Sequence, residues 1–187
     1  MRLDLSAEAL LLLTVGALAP AHALDGQGVV HGTATIQYAF SPDGNAAKLV
    51  ISAIDSARRE VLVQAFSFTH GGIANALVRA HSRGANVQVI ADPGQIELIG
   101  HNVVGVLVDA GVPVYTDAAH SAAHDKIMVI DAEEALPLVV TGSFNFTLAA
   151  QYRNAENVLV ISGNRELVQA YLENWKRHRA HAARYGR

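Results

Sequence analysis

A histidine and a lysine stand two residues apart, His124 and Lys126, ahead of a Gly142-Ser143-Phe144-Asn145 turn and of a glutamate, Glu156. Together these side-chain types address displacement at the phosphorus of a phosphodiester. A diester is an anion that repels nucleophiles, so its site must neutralise the nonbridging oxygens and supply both a nucleophile and an acid for the leaving oxygen. Lys126, Ser143 and Asn145 are the expected phosphate-binding donors: a compact charge, an adaptable hydroxyl and amide N–H groups. His124 is the expected nucleophile. Its neutral imidazole would form a phosphohistidine, splitting one hard displacement into two easier ones. Glu156 is read as the carboxylate that accepts the other ring N–H and fixes the tautomer. No step asks for a metal or an organic cofactor. A lone His-x-Lys pair would more often be structural, and it is the ordered set that carries the reading.

These groups need strands and a tight turn to hold them. His124 to Ile130 reads as a strand, in which alternation puts His124, Lys126, Met128 and Ile130 on one face and leaves Asp131 on the other, supporting the strand. Leu138 to Thr141 is a second strand, and Gly142 allows the turn that presents Ser143 and Asn145. Asn154 to Asn157 lies at the mouth of a strand from Val158 to Ile161, and Asn164 caps a last helix through Trp175. Upstream, periods of two and 3.6 alternate, the mark of an α/β domain. Strands are expected at Thr33–Phe40, Val61–Phe68, Val87–Ala91 and Val112–Thr116. Helices are expected around Leu49–Ala57 and over Ile73–Arg83 and Gln95–Ala110.

His124-x-Lys126-x4-Asp131 with Gly142-Ser143-x-Asn145 resembles the HKD motif of the phospholipase D superfamily, and the position of Glu156 suits that family's downstream acidic residue. The resemblance runs from about Gln37 to Trp175, through Tyr38-Ala39-Phe40-Ser41-Pro42 and Ala65-Phe66-Ser67-Phe68-Thr69. It is strongest toward the small single-motif bacterial endonucleases. It implies a mixed β-sheet flanked by helices on both faces, and it brings Asp131 into the catalytic set as the motif's third letter. It also implies a homodimer with a shared active site, since in-line displacement needs a nucleophile and an acid and the motif supplies one histidine per chain. The implied activity is metal-independent hydrolysis of DNA or RNA with little sequence preference. A phospholipid substrate is the rival, favoured by two motifs in one chain, where this chain has one. A phosphate- or nucleic-acid-binding module without turnover is a third reading, and the presence of both His124 and Lys126 speaks against it. Ten residues separate Asp131 from Gly142, a few more than usual, which predicts a longer hairpin over Ala132–Pro137.

Composition narrows the remaining choices. With 51% hydrophobic residues and five prolines in 187, the chain can bury one sizeable core, which excludes disorder. A formal charge of −3 provides no global basic field, so any polyanion site must be local. The absence of cysteine excludes disulfides, thiolate metal sites and thiol nucleophiles. Met1 to Ala23 reads as a secretory signal peptide, with Arg2, an apolar stretch from Ala9 to Leu18 and an Ala21-His22-Ala23 cleavage pattern. The expectation is a single domain over residues 24–187, secreted or periplasmic, with no stable membrane span. His120 and His124 have the i, i+4 spacing of a zinc pair, but the run after His124 is β-like and no third ligand has the expected setting. His31, His70, His81, His101, His178 and His181 are expected at the surface or in loops. Lys176, Arg177, Arg179, Arg184 and Arg187 follow the last acidic residue, as a solvated helix end or as a patch tracking a phosphate backbone. The Asn145-Phe146-Thr147 sequon is read as chance.

Overall fold

The computed structural model describes residues 27–98 and 103–186. The signal segment and His101 lie outside them, and so does Arg187. Along the chain run β1 (Thr35–Ser41), α1 (Ala46–Ser56), β2 (Glu60–Ala65), α2 (Gly71–Ser82), β3 (Asn86–Ala91), α3 (Pro93–Leu98) and α4 (Val104–Asp109). They are followed by β4 (Val114–Thr116), β5 (Lys126–Ile130), β6 (Leu138–Gly142), α5 (Leu148–Tyr152), β7 (Glu156–Ser162), α6 (Arg165–His181) and β8 (Ala183–Tyr185). All eight strands join one sheet in the order β1-β7-β6-β5-β2-β3-β4-β8. β2, β3 and β4 are mutually parallel, and the other pairings are antiparallel. This is the expected mixed sheet with helices on both faces.

Alternation along the central strands divides the core in two. Val61, Val63, Met128, Ile130, Val140 and Val158 face the α1 and α2 side, where Val50, Ile54, Ile73 and Leu77 cover them. Leu62, Ile127, Val129 and Val139 face α6 and bury Val168, Leu172 and Trp175. Asn164 caps α6 as expected, its Oδ1 accepting from Leu167 N at 3.0 Å. Trp175 locks the helix down by donating its indole N–H to Val63 O at 3.2 Å.

Several expectations are corrected. In place of the helix expected over Gln95–Ala110 the described residues form two short ones, α3 and α4, and the first starts ahead of Gln95, at Pro93. Asp92 Oδ1 accepts from Gln95 N at 2.9 Å, and Pro93 occupies the first helical position, where its missing N–H costs nothing. The strand expected from His124 starts at Lys126, so His124 sits just ahead of the ladder. The helix expected to end at Trp175 continues to His181, and the chain then adds β8 to the edge of the sheet against β4. Two of the basic residues beyond Glu173 are thereby held against β4: the Arg179 guanidinium stacks 3.4 Å from the Tyr115 ring centroid, and Arg184 donates to Tyr115 Oη, while Lys176 and Arg177 stay exposed.

Candidate active site

β5, β6 and β7 bring their ends together at an open cleft of about 550 Å³, walled by His124, Asp125, Lys126, Ile127, Thr141, Gly142, Ser143, Asn145, Glu156 and Tyr171. Five of the six sequence-predicted residues meet there. The loop before β5 is aimed by Asp92, whose Oδ2 accepts from Ala123 N at 2.9 Å, and by Phe66 N, which donates to Asp125 O. His124 packs on Phe66, with ring centroids 4.3 Å apart, and Lys126 Nζ stands 5.0 Å from the same ring. Nζ also lies 3.1 Å from His124 Nδ1 and 3.4 Å from Nε2, and it donates to His124 O. Lys126 is buried, and this burial pushes its ammonium below the usual lysine range, although Asp125 and Glu156 pull the other way.

The β6 turn alternates its residues. Phe144 and Phe146 enter the core, each 1% exposed, which sends Ser143 and Asn145 outward to the cleft. Gly142 makes this possible: at φ +152° its hydrogen faces β7, where a Cβ would meet Asn157 O at 2.3 Å. Ser143 Oγ accepts from Asn157 N and Nδ2 at 3.1 and 3.3 Å, leaving its own O–H to donate into the cleft. Asn145 Oδ1 is buried and has no hydrogen-bond partner among the described residues. Glu156 Oε1 accepts from Asn154 Nδ2 at 3.1 Å. Its carboxylate acts on Lys126 through space, and among the described residues no hydrogen bond joins it to the His124 ring.

Residues 50–179 match a family described as cardiolipin synthase, PLD-like domain. The chain belongs to the phospholipase D superfamily. A phospholipase D of Rickettsia felis is 35% identical over 144 residues, covering 75% of this chain and 68% of that protein. A mitochondrial cardiolipin hydrolase of Xenopus tropicalis is 36% identical over 121 residues, covering 65% and 55%. Among solved structures, the phospholipase D family member Nuc from Salmonella typhimurium superposes with a TM-score of 0.77 at 34% identity, over 83% of this chain and all of that one. NucT from Helicobacter pylori shares the fold, with a TM-score of 0.71 at 24% identity. With this fold and cleft, the phospholipase D superfamily member is a hydrolase acting on phosphodiester bonds.

In this phospholipase D fold Asp131 lies outside the cleft, at the far end of β5. Its carboxylate accepts from Arg58 N, Arg59 N and Glu60 N at 2.8, 2.8 and 2.9 Å, and its own φ is +53°. It closes the start of β2 against the end of β5, the supporting role that alternation assigned to it. The longer hairpin between Asp131 and Leu138 is present, and Arg165 of α6 ties it down through Ala132 O and Glu134 O.

The histidines expected at the surface divide. His31 is exposed, but His70 is buried and caps α2, Nδ1 accepting from Ile73 N at 3.3 Å, and burial lowers its pKa. His178 and His181, with His120, surround the Asp117 carboxylate, whose side chain is 0% exposed. The Asp117-x2-His120 and His178-x2-His181 spacings were the available signal. They bring Asp117, His178 and His181 together around His120, while His124 itself belongs to the cleft.

Proposed function

We propose that this protein hydrolyses nucleic acid, DNA or RNA, with little sequence preference and without a catalytic metal, through a phosphohistidine on His124. The observation that carries the proposal is the junction of His124 with the Lys126 ammonium 3.1 Å from its ring, in a cleft lined by Asn145 and by Ser143, whose O–H is left to donate. Asn145, Ser143 and Lys126 bind the nonbridging oxygens. His124 attacks phosphorus, the P–O bond to the leaving group breaks, and an acid delivers its proton to the departing oxygen. A water then gives its proton to that group, now a base, and attacks phosphorus; a P–O bond forms as the P–N bond breaks, which frees the His124 imidazole and a phosphomonoester.

The acid comes from a second copy. The α6-side face of β1 bears Ile36, Tyr38 and Phe40, at 58%, 68% and 60% exposure, beyond the strands that α6 covers. This apolar stripe reaches the cleft rim, because Ser41 pairs with Glu156 and Phe40 with Asn157. A twofold dimer on that surface brings two His124 side chains to one site. Reading Met1 to Ala23 as an export signal belongs to the same proposal and puts the enzyme outside the cytoplasm.

A cleft this open, with Ile127 and Tyr171 as its large apolar walls, reaches a diester on a polymer backbone without needing to bury acyl chains. Lipid is the second reading, favoured by relatives named phospholipase D and mitochondrial cardiolipin hydrolase. Incubating the protein with plasmid DNA, RNA and phosphatidylcholine vesicles in parallel decides between them. Nicking of plasmid or shortening of RNA, both lost in His124→Ala, is expected, and release of headgroup with intact nucleic acids would transfer the assignment to lipid.

A further inference from the structure

We infer that Asp117, His120, His178 and His181 form a binding site for one zinc-like divalent transition metal, separate from the cleft. One oxygen or ring nitrogen from each residue lies within 4.8 Å of every other. Asp117 Oδ2 is 2.7 Å from His178 Nδ1 and 3.9 Å from His120 Nε2, and Oδ1 is 3.2 Å from His181 Nδ1. Tetrahedral zinc with bonds of about 2.0 Å separates its ligand atoms by about 3.3 Å, so these spacings straddle what the ion requires. Three imidazoles and one carboxylate also match its preference for borderline nitrogen and oxygen donors.

Hydrogen bonding alone does not explain the arrangement. The buried carboxylate is already occupied by His178 and by Ala119 N, which donates to Oδ1 at 3.0 Å. His120 nevertheless packs onto both other rings, with centroids 5.0 and 5.5 Å away, and points its Nε2 at the same carboxylate without bonding to it. Three imidazoles crowded on one anion gain most when their lone pairs share a cation. On the far side of His178, Nε2 lies 4.0 Å from Asp125 Oδ2, which itself accepts from Gln64 Nε2 at 2.9 Å.

Four protein ligands close the coordination sphere, so the ion would be structural and would not activate water. It would join the last turn of α6 to the loop that leads from β4 toward His124. Asp125, standing between His178 and the cleft, links this clamp to the cleft wall.

The test uses the full-length, untagged chain, stripped with chelator and titrated with Zn²⁺ and Co²⁺. One zinc per chain is expected, with a rise in melting temperature and the strong visible bands of tetrahedral cobalt. His120→Ala and His181→Ala remove half-exposed side chains and should stay folded by circular dichroism, while weakening zinc binding at least tenfold. His124→Ala should bind zinc as the wild type does. The site is refuted if the wild type takes up no zinc, if the double variant His120→Ala/His181→Ala binds equally well, or if cobalt gives only a weak octahedral spectrum. Turnover is read separately: at temperatures below melting, activity that survives chelation while thermal stability falls separates this clamp from the chemistry of His124.

Discussion

At the scale of single residues, the cleft makes sharp demands on two side chains. His124→Ala should abolish turnover with the fold retained. Lys126→Ala should lower kcat about 10²- to 10³-fold, the usual cost of one charged donor at a developing oxyanion. Burial lowers the Lys126 pKa, so its cation is complete below that depressed value and disappears as pH rises through it. The alkaline limb of kcat/KM should therefore fall at a lower pH than a solvent-exposed lysine would give, and a pH–rate profile measures this. A limb at or above the ordinary lysine range would remove Lys126 from the step. Asp131 is the contrasting case. Asp131→Ala strands three backbone N–H groups and should cost roughly 3 kcal/mol in urea unfolding, with kcat per folded molecule little changed. The cleft residues were legible because their types are chemically unusual and closely spaced in sequence. The Asp117 cluster was not, since His178 meets Asp117 across 61 positions and a histidine alone declares no partner.

At the scale of elements, the β6 turn depends on Gly142. Gly142→Ala drives a methyl into Asn157 O, so β7 must retreat and carry Glu156 and the Ser143 contacts with it. We expect a loss on the order of 2 kcal/mol in thermal unfolding, together with a fall in kcat out of proportion to that loss. An active variant with unchanged kcat would show that the turn tolerates displacement. Strong periodicity made the central strands and α1, α2 and α6 readable. The α3–α4 division was harder, because apolar Ile96, Leu98, Val103, Val104 and Leu107 keep a helical rhythm across a segment whose start is set by capping at Asp92. β8 has three exposed residues and no apolar alternation, so its pairing with β4 is a tertiary event that local sequence cannot announce.

At the scale of the whole molecule, the shared-site proposal predicts how mixtures behave. If wild-type and His124→Ala chains are unfolded together and refolded in varied ratios, activity should follow the square of the wild-type fraction, since a site needs two histidines. A linear response would mean that each chain works alone, with another histidine of its own as the acid. N-terminal sequencing of exported protein should begin at Leu24, and a retained Met1 would remove the export reading. The ends of the sheet carry a further implication, for the order in which the protein comes into being. Among the described residues β1 pairs only with β7, and β4 is closed on its outer side by β8, so each border of the sheet joins an early segment to a late one. A chain emerging from its N-terminus therefore carries Ile36, Tyr38 and Phe40 on an unpaired strand until β7 has been made, and the opposite border stays open until β8 has been made. Closure of the sheet must wait for β7 and β8, and until they are made the open strand edges are exposed to strand-to-strand aggregation.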